Sequence, residues 1–240
     1  MKKQPTQLAY LLPNFFTASS IFAGIYSMIS AIEGNFALAA WMVLLSLIFD
    51  GLDGRVARLT NTCSRFGVEF DSLADIVAFG AAPAILLYLY VGHDFGRFGI
   101  MASALFVIFG GIRLARFNVM TGENEPSVFI GVPIPTAAVF ISILVLLFEK
   151  YSFLAEYKVV ILLIALLVAV LMVSNIRYPS FKKVDMGKKH IRRVFVVIVA
   201  VAMIFFIYPV EGFATFFTLY ILYGPLRSVV TLSKRSRLLK

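Results

Sequence analysis

The amino-acid sequence predicts an all-α fold, a polytopic transmembrane helical bundle of about eight spans: a six-helix core followed by two C-terminal helices. Three observations predict it. Hydrophobic residues fill 60% of the 240 positions and mean hydropathy is +0.91, outside the range of an ordinary soluble domain. Apolar runs near the ~20 residues that cross a hydrocarbon layer alternate with short polar connections. Of the 22 lysines and arginines, all but Arg97, Lys150 and Lys158 fall on one side of an eight-span arrangement. That asymmetry places both termini in the cytoplasm, and an even count of six spans would place them there too.

The first span is expected from about Phe15 to Ile32, with Lys2 and Lys3 ahead of it. Its apolar core is too long for a cleaved signal, and further spans follow. Asn14 and Thr17 share a face near its start, where Asn before an apolar run is a good N-cap. Glu33-Gly34-Asn35 turns the chain into a second span from about Phe36 to Leu59. The connection Asn61 to Phe66 leads to a third span, Gly67 to Val91, in which Pro83 predicts a kink. A fourth span covers about Phe98 to Asn118, a fifth runs from about Thr136 to Phe148, and a sixth from Lys158 to Ser174. Asn175 to Arg193 is a polar, basic connection. The seventh span is a short one, Val194 to Tyr208, and the eighth runs from Phe213 to Leu232. One integral membrane domain over 1–240 is the economical organisation, with a core of about 10–180 and extra helices at about 194–232.

The single Cys63 excludes an internal disulfide and makes no cysteine metal site alone; His93 and His190 lie too far apart for a zinc motif. A net charge of +9 suggests anionic partners. Its placement in short connections between spans favours membrane phospholipid headgroups, Lys182, Lys183, Lys188 and Lys189 among them, over nucleic acid.

The polar residues that stand out are four aspartates between positions 50 and 75. Asp50, Asp53, Gly54, Ala57 and Arg58 fall on one helical stripe, and Gly67, Asp71 and Asp75 recur every four residues on the next. Packed antiparallel, the two stripes bring four carboxylates together with only small side chains between them. Each costs ~2.5–3.5 kcal/mol at a bilayer centre, so such a cluster needs a function and bound cations. An all-oxygen site of this kind suits Mg²⁺ or Mn²⁺, and two divalent ions cancel the formal charge of the four. Gly54 and Ala57 leave room for a pyrimidine or pyrophosphate to approach the backbone, or else for close helix packing.

The spacing Asp50-x-x-Asp53-Gly54-x-x-Ala57-Arg58, then eight residues, then Gly67-x-x-x-Asp71-x-x-x-Asp75 resembles the complete signature of the CDP-alcohol phosphotransferase family. The resemblance implies displacement of CMP from a CDP-linked alcohol by an acceptor hydroxyl, with two divalent cations, in a homodimer of the cytoplasmic membrane. It implies that Asp50, Asp53, Asp71 and Asp75 are metal ligands and that Asp75 is also the general base. It implies a CDP site made by Asn14, Thr17, Gly54, Ala57, Arg58 and Gly67, with Arg58 on the pyrophosphate.

Three further segments, Arg113-Leu-Ala-Arg116-Phe-Asn118, Gly131-x-Pro133-x-Pro135 and Tyr178-Pro179-Ser180, resemble the branch of that family whose donor is CDP-diacylglycerol and whose acceptor is L-serine. Arg113, Arg116, Asn118, Pro133 and Pro135 are then the candidate acceptor site. Arg113 and Arg116 are three apart, and paired guanidinium forks suit a carboxylate. The same pair would bind the phosphate of glycerol-3-phosphate, and an inositol-type acceptor is a further alternative. A secondary transporter is the alternative from another class, but it favours midplane sites and internal repeats. The aspartates instead sit at a cytoplasmic helix end, in a chain without visible repeats.

Overall fold

In the computed structural model of the chain, residues 7–120, 128–179, 203 and 205–238 are described. The architecture is a bundle of long apolar helices, with one small two-stranded ribbon against it. Among the described residues, four helical rods are long and apolar enough to cross a membrane: Tyr10–Ile32, Phe36–Thr60, Arg65–Tyr90 and Arg97–Met120.

Helix α1 (Gln7–Ile32) and α2 (Phe36–Thr60) form a hairpin. The turn has Gly34 at φ 80° and Asn35 as N-cap, its side chain accepting from the Leu38 N–H. Small polar residues lock the pair. Ser27 donates to the Ala39 carbonyl at 2.8 Å, and Ser20 and Ser46 each donate to the other's carbonyl. Such bonds suit a lipid setting, where small residues let backbones approach and hydroxyls have no water to turn to. Because α1 begins at Gln7, Asn14 lies inside the helix and is not its N-cap, correcting the capping expectation.

The third rod comprises α3 (Arg65–Asp75), a π-helical segment (Ile76–Ala81) and α4 (Ala82–Tyr90). The expected irregularity near Pro83 takes the form of that π segment, in which the Ala82 N–H reaches the Val77 carbonyl. A proline ring would crowd the carbonyl four residues back, and the wider turn relieves it. Gly24 of α1 packs directly on this segment: a Cβ there would lie 2.8 Å from Ala78 Cα.

Helix α5 (Arg97–Met120) packs on α7 (Val159–Val173), and α6 (Ile134–Lys150) runs through the core. Apolar on nearly every side, α6 is buried from Ala137 to Leu146, as a helix without a polar face must be. α6 and α7 have 17 and 15 residues, roughly 22–26 Å, so they are short for a crossing.

Two strands were not expected from the sequence. β1 (Val128–Ile130) pairs antiparallel with β2 (Arg177–Pro179), matching Phe129 with Tyr178. Gly131 follows β1 at φ 73°, and a Cβ there would lie 2.2 Å from the Met172 carbonyl oxygen. The ribbon thus rests on the end of α7.

The last helix, α8 (Pro209–Leu238), contains the expected eighth span. It packs along α6 and touches β2. Glu211 in its first turn accepts from Lys150 and Tyr151 at the end of α6. Further along, Pro225 has no N–H to offer the Ile221 carbonyl. The Tyr178 hydroxyl of β2 donates to that carbonyl instead, at 3.2 Å. Of the seventh expected span only 203 and 205–208 are described, and Lys182, Lys183, Lys188 and Lys189 lie outside the described residues.

Candidate active site

The four aspartates meet where α2 and α3 approach each other. Asp50 and Asp53 lie about two to three turns before the end of α2, and Asp71 and Asp75 occupy the second half of α3. One carboxylate oxygen from each of Asp50, Asp53 and Asp71 can be chosen so that all three lie within 4.8 Å of one another. Asp75 lies one turn further along the same stripe of α3 than Asp71. Asp53 is 6% exposed and Asp75 9%.

Desolvated carboxylates at this separation repel, and each oxygen needs a donor or a cation. Part of that need is met by protein. The Thr17 hydroxyl on α1 donates to Asp53 Oδ2 at 2.7 Å. Asp71 Oδ1 and Asp75 Oδ1, however, are buried without a hydrogen-bond partner. All-carboxylate donors with two unpartnered buried oxygens fit a hard divalent cation.

Beside the cluster opens a cleft of about 210 Å³. It is walled by α1, by the end of α2 and by the start of α3. All six residues expected at the CDP site line it, namely Asn14, Thr17, Gly54, Ala57, Arg58 and Gly67, together with Asp53 and Asp71. A Cβ on Gly54 would meet only the Arg58 guanidinium, at 3.6 Å, and no neighbouring helix. The small residue therefore leaves cleft space and is not a helix-packing notch.

The cleft also includes residues that the sequence reading passed over. Thr62, Cys63 and Ser64, treated as plain connection, form its floor. Asn61 ends α2 in the left-handed region, and Ser64 caps α3 by accepting from the Gly67 N–H at 3.0 Å. A serine three positions before the first small residue of the next stripe was the available signal for that cap.

The acceptor candidates separate in space. Arg113 is 8% exposed, within electrostatic reach of Asp75, and its guanidinium lies 5.5 Å from the Phe117 ring centre. Arg116 turns the other way, donating to Asn175 Oδ1 at 2.7 Å and to the Val173 carbonyl at the end of α7. Asn118 donates to Ser72 Oγ of α3 at 2.9 Å. Pro133 and Pro135 open α6, with Pro133 in its N-cap position.

The pattern of the CDP-alcohol phosphatidyltransferase family matches residues 10–171, a stretch that contains every aspartate of the cluster and every wall of the cleft. The chain belongs to the CDP-alcohol phosphatidyltransferase family. Among its relatives in that family, a CDP-diacylglycerol–serine O-phosphatidyltransferase of Helicobacter pylori is 52% identical over 231 residues, 96% of either chain. An archaetidylserine synthase of Methanothermobacter thermautotrophicus is 41% identical over 170 residues, 70% of this chain and 69% of the relative. The CDP-diacylglycerol–serine O-phosphatidyltransferase of Bacillus subtilis is 33% identical over 173 residues, 72% of this chain and 92% of the relative.

Proposed function

We propose that the chain transfers the phosphatidyl group of CDP-diacylglycerol to L-serine, giving phosphatidylserine and CMP. The observation that carries this reading is the buried Arg113, within electrostatic reach of Asp75 in the carboxylate cluster that adjoins the cleft. A guanidinium there suits an acceptor that bears a carboxylate. The bacterial relatives are named for phosphatidyl transfer to serine and the archaeal one for archaetidylserine, so they differ in the lipid and share serine.

In this reading the cytidine and pyrophosphate occupy the cleft, with Arg58 against the phosphates and Gly54 and Ala57 leaving room for them. Asp50, Asp53, Asp71 and Asp75 would hold two divalent ions, Mg²⁺ or Mn²⁺. Such ions, when bound, lower the charge on the pyrophosphate and stabilise the departing phosphate oxygen. The serine hydroxyl oxygen attacks the phosphorus attached to diacylglycerol. A new P–O bond forms, the P–O bond to the CMP phosphate breaks, and CMP leaves with that electron pair. Asp75 takes the hydroxyl proton, and its burial keeps bulk water from competing as acceptor.

The contacts of α8 with α6 and β2 support treating the chain as one membrane domain. Lys150 meets Glu211 at the end of the bundle opposite Arg116 and Asn175. The described segment that ends at 179 and the start of α8 thus stand at opposite ends, which supports an even number of crossings. The charge asymmetry then puts the cluster on the cytoplasmic side, where serine and CMP are soluble.

Purified protein is to be supplied with CDP-diacylglycerol, Mg²⁺ or Mn²⁺, and labelled serine, glycerol-3-phosphate or inositol in separate reactions. Phosphatidylserine with equimolar CMP is expected, and turnover confined to another acceptor would overturn the serine reading.

A further inference from the structure

At the floor of the cleft stands a pair of hydroxyls whose protons have only one consistent arrangement. Thr60 Oγ1 lies 2.7 Å from the Val56 carbonyl oxygen and 2.7 Å from Thr62 Oγ1. A carbonyl only accepts and a hydroxyl has one proton, so the proton of Thr60 is spent on Val56. The Thr62 hydroxyl must therefore donate to Thr60. Its oxygen keeps free lone pairs and has no proton left for a ligand. Thr62 lines the cleft and Thr60 does not.

The position of Thr62 is fixed as firmly as its proton. Asn61 at φ 54° turns the chain off α2, and the Thr62 N–H donates to the Ala57 carbonyl at 2.9 Å. Thr62 is 3% exposed, although Asn61 and Cys63 on either side are both exposed. The helix also decides which part of a nucleotide reaches it. Asp53 marks the cluster end of the cleft, and α2 ends at Thr60, roughly 10 Å further along its axis. The Arg58 guanidinium stays near Gly54, 3.6 Å from where a Cβ would stand, and so serves the phosphate half. With the pyrophosphate at the carboxylates, the base is the end that falls at Thr62.

We propose that Thr62 selects cytosine: its hydroxyl, held as an acceptor by Thr60, takes a hydrogen bond from the 4-amino group of the base. Uracil carries a carbonyl oxygen at that position, and two acceptors would then face each other. Thr60 is a positioning residue, because it acts on the base only by occupying the proton of Thr62. This inference rests on the reading that the nucleotide of the donor occupies the cleft.

Cys63 supplies the readout, being exposed, in the cleft wall and the one cysteine of the chain. Purified protein with Mg²⁺ is labelled by a maleimide in the presence of CDP or UDP, each rate being referred to the same variant without nucleotide. In the parent chain CDP should protect at concentrations at least about tenfold below UDP. Thr62→Ser should keep that ratio. Thr62→Val should lose it through weaker CDP protection. Thr60→Val frees the proton of Thr62 to turn toward the base, so it should lose the ratio the other way, with UDP improved and CDP within about twofold. Equal protection by CDP and UDP in the parent chain, or parental selectivity in Thr60→Val, would overturn the inference and leave the nucleotide in the cleft. Absence of protection by either nucleotide, in protein that turns over CDP-diacylglycerol, would remove the cleft reading and the inference with it.

Discussion

The Thr17 hydroxyl donates to Asp53 Oδ2 at 2.7 Å, tying the first helix to the carboxylate cluster. Both residues are buried, at 3% and 6% exposure, so water cannot replace the bond. It orients one of the two cluster aspartates that line the cleft, the one on the same helix as Gly54 and Arg58.

Replacing Thr17 by Val keeps the shape and removes the donor. A hydrogen bond to a charged group is worth about 1.5–3 kcal/mol, so the apparent affinity for divalent metal should fall at least about tenfold. Thr17→Ser should retain most of it. Activity titrated against Mg²⁺ and Mn²⁺ reads the effect, and an unchanged midpoint in Thr17→Val would make the bond incidental.

Asp71→Asn removes one charge from a site where Asp71 Oδ1 is buried without a partner. The variant should insert and fold, since relieving repulsion between carboxylates costs no packing. Turnover should drop by two or more orders of magnitude, on the scale of losing one preorganised electrostatic contact, ~2.7–4 kcal/mol. Melting temperature with and without metal provides the second readout: the parent should be stabilised by metal, and Asp71→Asn much less. Full activity at ordinary metal concentration would sink the ligand assignment.

Arg113 and Arg116, alike in the sequence, should diverge on substitution by Lys. Arg113→Lys keeps the charge but loses the planar fork, and the KM for serine should rise about tenfold with that for CDP-diacylglycerol nearly unchanged. Arg116 is bonded to Asn175 and to the α7 carboxyl end. Its Lys variant should lower thermal stability by ~1 kcal/mol with a smaller effect on serine. The reverse pattern would exchange the two roles.

Two glycines make a contrasting pair. Gly24→Ala would drive a methyl to 2.8 Å from Ala78 Cα and should destabilise by ~1–3 kcal/mol through overpacking. Gly54→Ala meets only the end of the Arg58 side chain, so folding should be nearly unaffected. The methyl instead takes cleft space, and the KM for CDP-diacylglycerol should rise several-fold, by about 1 kcal/mol. Thermal melts beside donor titrations distinguish the two cases.

Much of the molecule was legible before its structure. Hydropathy runs marked the described helices to within a few residues except at the start of α1, where Tyr10, Leu11 and Leu12 continue the helix toward Gln7, and at the end of α8, which runs past Leu232 to Leu238. Periodicity is blind to strands of three residues, so the pairing of Val128–Ile130 with Arg177–Pro179 left no trace in the pattern. The π segment was legible only as a proline, because a bend and a wide turn answer the same steric problem at Pro83.

By itself the sequence determined most of the helices and the acidic stripes on α2 and α3. These follow from local rules, since a span of about twenty apolar residues must be helical in lipid and a period of four fixes a face. Tertiary structure alone decided how the arginines divide their work. Arg113 and Arg116 share a helical face, yet one is buried within electrostatic reach of Asp75 and the other is tied to Asn175. That division depends on residues far away in the sequence, Asp75 for one arginine and Val173 and Asn175 for the other, and spacing along one helix carries no information about them.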